Sequence, residues 1–221
     1  MPKHAKSFAV IGIGRFGASV AQTLCTLGHE VLAIDRDETR IAAIADLVTH
    51  AVVADTTDER ALKRIGVRNF DCIIISVGDD IRTSILTTVL VKEQGAQYVI
   101  AKASDRLHAR LLEKTGADKV VLPEHEAGVR LARSLVSGSI IDYLDLSDEY
   151  SINETLIPTP WIGKTLVELN VRNRFGISVI AIRRGEDILV TLDPKAPLRA
   201  GDVLVMIGSN ESLTRIGHGD V

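Results

Sequence analysis

The sequence is short of the features that would put a chain in a membrane, in a disulfide framework or on nucleic acid. Its longest apolar runs, around 72–77 and 203–207, fall far below the roughly 20 residues that span a bilayer, so no membrane crossing is expected. Only two cysteines occur, Cys25 and Cys72, far apart and outside any C-x-x-C pair. They give no basis for a disulfide framework or a zinc site and read as small buried hydrophobes. The net charge is −3, the pI is near 6.1 and no Lys/Arg block stands out, so the electrostatic grip on a phosphate backbone is missing and no nucleic-acid partner is expected. No apolar leader with a small-residue cleavage site precedes the first strand pattern, and a cytoplasmic location is expected.

Catalytic signatures are missing as well. There is no G-x-S-x-G elbow and no Walker G-x-x-x-x-G-K-[ST] loop, so serine hydrolase and P-loop readings fall away. His4, His29, His50, His108, His125 and His218 show no metal-ligand spacing, and most read as surface or turn residues. The single tryptophan, Trp161, follows Pro158-Thr159-Pro160 and reads as a packing anchor.

What is present is an alternation. With 221 residues and ordinary globular composition, the chain has room for one large domain and a small one. From residue 7 to about 122, apolar runs at 8–11, 30–34, 50–53, 72–75, 98–101 and 119–122 alternate with helical periods at 16–27, 38–45, 58–65, 81–94 and 105–115. Repeated βαβ units of this kind predict an α/β fold with a six-stranded, doubly wound parallel sheet of Rossmann type. Asp58 and Ser104 read as helix N-caps. A further helix is expected over 126–135, and the small polar stretch Ser137-Gly138-Ser139 reads as a linker. The remainder predicts an α+β module with strands at 150–156, 178–182, 188–191 and 203–207 and short helices near 165–169 and 211–216. The expected domains are thus 1–136 and 137–221.

Directly after the first strand comes Gly12-Ile13-Gly14-Arg15-Phe16-Gly17, the G-x-G-x-x-G fingerprint, followed by an apolar helical period. Gly12 would permit the tight turn, Gly14 would let a phosphate approach the backbone, and Gly17 would allow close helix-to-strand packing, while the helix N-terminus supplies N–H donors. Asp35 lies 21 residues after Gly14, at the end of the second strand, where a carboxylate accepts from ribose hydroxyls. It would repel a 2′-phosphate, with Arg36 beside it arguing the other way, so NAD, AMP, ADP and ATP stay open. Arg15, inside the loop, suits additional phosphates. Asp55-Thr56, Ser76 to Asp80, Lys102-Ala103 and Pro123-Glu124 follow strands three to six, where ligands bind in open α/β sheets. Glu124 is a candidate Mg²⁺ or Na⁺ position, because a carboxylate near phosphates needs a bridging cation.

The stretch Phe8-Ala9-Val10-Ile11-Gly12-Ile13-Gly14-Arg15-Phe16-Gly17 resembles the opening of the KTN/RCK regulators of potassium transport, of the Ktr/Trk type. The likeness continues through Gly28 to Asp35, Leu112 to Asp118, Pro123-Glu124, Asp145 to Ser151 and Leu169-Asn170-Val171-Arg172, covering nearly the whole chain. It implies a non-enzymatic, cytosolic regulatory subunit at the inner face of the membrane. Homodimers would assemble into an octameric ring and gate a KtrB/TrkH-like potassium-translocating subunit in response to ATP or ADP, with NAD(H) as an alternative ligand. In that reading Gly12, Gly14 and Gly17 form the phosphate turn, Asp35 holds ribose, Arg15 reaches the terminal phosphate and Glu124 lies near the bridging cation. Asp37, Asp55, Thr56 and Lys102 carry over more weakly. The second domain resembles the C-terminal RCK module, which in some members binds cyclic di-AMP at its dimer interface. Arg172 and Phe175-Gly176-Ile177 match that region, whereas Ser178 departs from the amide that some binders carry there. The competing expectation is a small NAD-dependent oxidoreductase, for which no catalytic acid or base is apparent. A redox-sensing transcription factor would need a winged helix ahead of the fingerprint.

Overall fold

In a computed structural model of the chain, residues 5–78, 80–136, 140–147 and 149–217 are described. His4, Asp79, His218 and the expected linker Ser137-Gly138-Ser139 lie outside them. The chain divides into two units, Met1–His125 and Glu126–Val221.

In the first unit the βαβ alternation is realised as β1 (Ser7–Ile11), α1 (Arg15–Thr26), β2 (Glu30–Asp35), α2 (Glu38–Ile44), β3 (His50–Val53), α3 (Glu59–Ile65), β4 (Cys72–Ile75), α4 (Ile81–Glu93), β5 (Val99–Lys102), α5 (Arg106–Lys114) and β6 (Lys119–Val121), with α6 (Pro123–Val136) running on into the second unit. The six strands pair in parallel in the order β3-β2-β1-β4-β5-β6. Parallel strands are covered by helices on both faces, which is why Cys72-Ile73-Ile74-Ile75 is apolar at every position and buried at every position. Alternate side chains then feed two cores: Ala9, Ile11, Ile73 and Ile75 belong to one cluster, Val10, Cys72 and Ile74 to the other. At roughly 1.5–3 kcal/mol for each fully buried isoleucine, these central strands contribute much of the unit's stability. Burial pushes the Cys72 thiol up to about 11, so it packs as a hydrophobe; Cys25 is only half-buried.

The register brings the site together. Ile11 stands opposite Ile34 on one side and Ile75 on the other, so the chain leaves β1, β2 and β4 at one level, at Gly12, Asp35 and Ser76. Helices α2, α3, α4 and α5 are capped by Asp37, Asp58, Asp80 and Asp105, whose carboxylates accept from backbone N–H groups of the first turn. Asp58 is the cap its position predicted, but α5 is capped by Asp105 where Ser104 was expected. Aspartate competes well for that position because an ionised acceptor also meets the positive end of the helix dipole. Ser104 instead turns to His108, donating its N–H to Nδ1 at 3.2 Å. His108 is fully buried, unlike the surface or turn positions expected of most of the histidines, and burial holds its imidazole pKa down.

The second unit contains β7 (Ile140–Asp145), β8 (Tyr150–Leu156), α7 (Leu166–Leu169), α8 (Val171–Phe175), β9 (Ser178–Arg184), β10 (Asp187–Leu189), β11 (Val203–Ser209) and α9 (Asn210–Gly217). Its antiparallel sheet runs β10-β9-β11-β8-β7. Trp161, at 2% exposure, sits in a core with Leu169, Ile177, Leu204 and Leu213, which is the anchoring role expected of it. Strand β7 and helix α8 were not expected. Asn170 explains the second: its left-handed φ of 46° ends α7 and starts α8 at once.

Candidate functional site

The first strand ends in Gly12, whose φ of +90° turns the chain sharply toward α1. Gly17, one turn into α1, packs against that turn so tightly that a Cβ there would lie 2.0 Å from the Gly12 carbonyl oxygen. Gly14 is different, since a Cβ would meet nothing within 4 Å, and it opens onto free space. Gly14 is also the N-cap of α1, with no side-chain cap bond and no acidic residue in the first turn. The leading N–H groups of this helix therefore keep their donors for an anion, whereas α2, α3, α4 and α5 meet theirs with aspartate.

A cleft of about 930 Å³ opens at this level. Gly12, Gly14, Arg15 and Phe16 line it from the loop, Asp35 and Arg36 from the end of β2, Asp55 and Thr56 from beyond β3, and Lys102 and Glu124 from the far half of the sheet. Gly17 lies beneath the loop, and Arg172 belongs to the second unit, exposed on α8. The cleft occupies the point where strand order reverses, between β1 and β4, which is where open α/β sheets take ligands.

The charges in it are arranged in pairs. Lys102 Nζ lies 2.7 Å from Glu124 Oε1 and 5.9 Å from the Phe16 ring centre. The Lys102 ammonium holds the Glu124 carboxyl below its ordinary range, although Glu124 is 69% exposed and the pair is screened by water. Asp55 accepts from the hydroxyl and the N–H of Thr57, which lower its pKa. Thr56 is buried and its hydroxyl meets that of Thr87 on α4 at 3.1 Å. Ser76 lines the cleft with a buried hydroxyl that has no protein partner. Asp35 is buried too, and accepts from Ile13 N–H at 2.6 Å and from Asp37 N–H at 2.9 Å. Among the described residues no group of three His, Cys, Asp or Glu side chains gathers around a common point.

Two polar lining residues escaped the sequence reading. Arg40 stands 3.5 Å from both Asp35 Oδ2 and Asp37 Oδ2; its spacing of three from the capping Asp37 was the available signal. Thr83 gives its N–H and its hydroxyl to the capping Asp80 at 3.0 and 2.7 Å, in the D-x-x-T spacing that starts α4.

The glycine turn, the helix without a side-chain cap and the reversed strand order define a Rossmann-type domain, carried in one chain with a small antiparallel module. The chain matches the TrkA-N domain over residues 8–123 and the TrkA-C domain over residues 154–217, and it belongs to this KTN/RCK family of potassium-transport proteins. It is 41% identical to the Ktr system potassium uptake protein C of Bacillus subtilis and 42% identical to the Ktr system potassium uptake protein A of the same organism, each over 210 residues and 95% of both chains. Among solved structures it resembles the GsuK RCK domain with a TM-score of 0.67 at 19% identity, over 99% of this chain and 48% of that one. The GsuK channel bound to NAD aligns with a TM-score of 0.67 at 20% identity, over 96% of this chain and 39% of that one. The chain thus spans less than half of these solved chains, and at such identities the likeness is one of fold. No helix among the described residues is long and apolar enough to cross a membrane.

Proposed function

We propose that the chain is the ligand-sensing regulatory subunit of a potassium uptake system, binding ATP or ADP, with NAD(H) as the alternative, in the cleft of its first domain. The observation that carries this reading is the Gly14-capped N-terminus of α1, which leaves N–H donors open beside an exposed Arg15. An adenine nucleotide would set its phosphates there, its ribose toward Asp35 and its base toward Asp55 and Thr56. Lys102 would meet the phosphate tail. Magnesium is usually held by one or two carboxylates together with substrate phosphates, so the single Glu124 fits a phosphate-bridging Mg²⁺ or Na⁺ once Lys102 turns from it to the phosphates. Nothing in this role requires turnover: a ligand that prefers one of two conformations shifts their populations by its differential affinity. Homodimers assembled into an octameric ring on the inner face of the membrane would pass that shift to a KtrB/TrkH-like translocating subunit.

The test is calorimetric titration of the purified protein with ATP, ADP, NADH and cyclic di-AMP, with its solution mass measured alongside. An octamer that binds ATP or ADP agrees with this reading. A monomer or dimer that binds NADH alone would favour a small NAD-dependent oxidoreductase. Within the same assay, Arg15→Ala is expected to weaken ATP by about tenfold or more, the worth of a charged hydrogen bond to a terminal phosphate, while ADP changes little. Equal losses for both nucleotides would remove Arg15 from the terminal phosphate.

The second domain is proposed to take cyclic di-AMP, with the exposed Arg172 on α8 as a phosphate ligand. Arg172→Ala is expected to lower cyclic di-AMP affinity by at least about tenfold without changing ATP affinity. Unchanged cyclic di-AMP binding would separate Arg172 from that ligand.

A further inference from the structure

An aspartate that only served ribose hydroxyls would need no donors from its own chain. Asp35 has them: it is 7% exposed, and each of its carboxylate oxygens already accepts a backbone N–H. Oδ2 accepts the Ile13 N–H at 2.6 Å and lies 3.5 Å from Arg40 Nη1, while Oδ1 accepts the Asp37 N–H at 2.9 Å. The first of these bonds is short even for a charge-assisted N–H···O contact. It is made to the one residue that separates Gly12 from Gly14, in a turn whose two glycines have the most conformational freedom to lose. A single carboxylate therefore ties the phosphate loop to the end of β2 and to the cap of α2.

We infer that Asp35 is a positioning residue for the phosphate loop: by holding the Ile13 N–H it sets the turn that α1 presents to phosphate oxygens, whether or not a ribose is present. This rests on the nucleotide-binding reading and deepens it. The ribose role and the loop role differ for an anion that carries no ribose. If Asp35 served ribose alone, Asp35→Ala would remove a negative charge from an anion site, and tripolyphosphate would bind as well as before or better. If Asp35 holds the loop, tripolyphosphate binds worse in spite of the lost charge. Asp35→Asn keeps one oxygen acceptor without the charge; it can meet the Ile13 N–H only with its amide nitrogen turned to the Asp37 N–H, so it should restore binding in part.

The experiment is amide hydrogen exchange of the full chain without ligand, followed by tripolyphosphate and ATP titrations of the wild type, Asp35→Ala and Asp35→Asn. The Ile13 amide is expected to be protected in the free wild type, to exchange about tenfold faster in Asp35→Ala, and to recover in part in Asp35→Asn, while tripolyphosphate weakens about tenfold in the alanine variant and less in the asparagine variant. An unprotected Ile13 amide in the free wild type would overturn the inference even if Asp35→Ala failed to fold. So would tripolyphosphate affinity that holds or rises in a folded Asp35→Ala. If the wild type bound neither ATP nor tripolyphosphate, the nucleotide reading would fall and the loop role with it, whereas ATP binding with an unprotected Ile13 would overturn the loop role alone.

Discussion

Gly17→Ala is expected to abolish nucleotide binding and to lower the unfolding temperature by about 10 °C, the shift that about 3 kcal/mol produces in a unit of this size. The added methyl carbon would start 2.0 Å from the Gly12 carbonyl oxygen, with the Ser76 hydroxyl at 3.0 Å. The nearest obstacle is backbone, not the tip of a flexible side chain. Helix α1 would have to retreat by roughly 1.5 Å to reach ordinary contact distance. That motion pulls its donors off the phosphate position and opens the packing of Ala21 and its neighbours in the core. Gly14→Ala is the internal control, because its Cβ meets nothing within 4 Å and its φ is −79°. This variant should melt close to the wild type and lose affinity only through the space a phosphate needs. Thermal unfolding and ATP titration of both variants decide the matter; a Gly17→Ala protein that melts and binds like the wild type would show that loop and helix are not rigidly seated.

The second large effect belongs to the other unit. Asp202 is 1% exposed and is gripped at 2.8 Å by both Arg184 Nε and Arg184 Nη2, with the Arg199 N–H also at 2.8 Å. The Arg184 hydrogen bonds are the main reason its carboxyl sits below the ordinary range. Arg184→Ala leaves a buried carboxylate with one backbone donor, and a loss of about 3 kcal/mol is expected, at the low end for a broken buried pair because Arg184 itself is one-third exposed. A depressed carboxyl pKa stabilises the fold fully above the unfolded carboxylate range, and that contribution disappears as pH falls through the folded value. The deficit of Arg184→Ala should therefore be largest at neutral pH and shrink below about pH 4, where protonation removes the unpaired charge. Denaturant unfolding at pH 7 and at about pH 3 measures it; a deficit equal at both values would assign the effect to lost packing of the arginine stem.

Much of the first unit was legible because its signals are local and redundant. A strand buried on both faces, such as β4, must be apolar throughout, and helices that end in left-handed glycines announce their boundaries, as Gly28, Gly66, Gly95 and Gly116 do. The cleft residues could be named from the same logic, since each follows the carboxyl end of a strand. What escaped depends on how the elements pack against one another or on very short elements. Nothing local to His108 says that it is buried, and Arg40 acquires its place only when β2 delivers Asp35 beside α2. Helix α8 is five residues long and follows an asparagine in a conformation that few side chains adopt, so periodicity had no length in which to show itself.

The strand order has a consequence for the lifetime of the molecule. Asp35 and Glu124 reach the same cleft from opposite halves of the sheet, 89 positions apart in the chain. A ligand held by both would tie these segments together only in the folded state, and the unfolded chain would have no equivalent site. It would raise the free energy of unfolding with its own concentration, by about 2.7 kcal/mol at a hundred times its dissociation constant. Resistance of the domain to unfolding, and so to proteolysis, would then follow the supply of that ligand, even with the rest of the transport system absent.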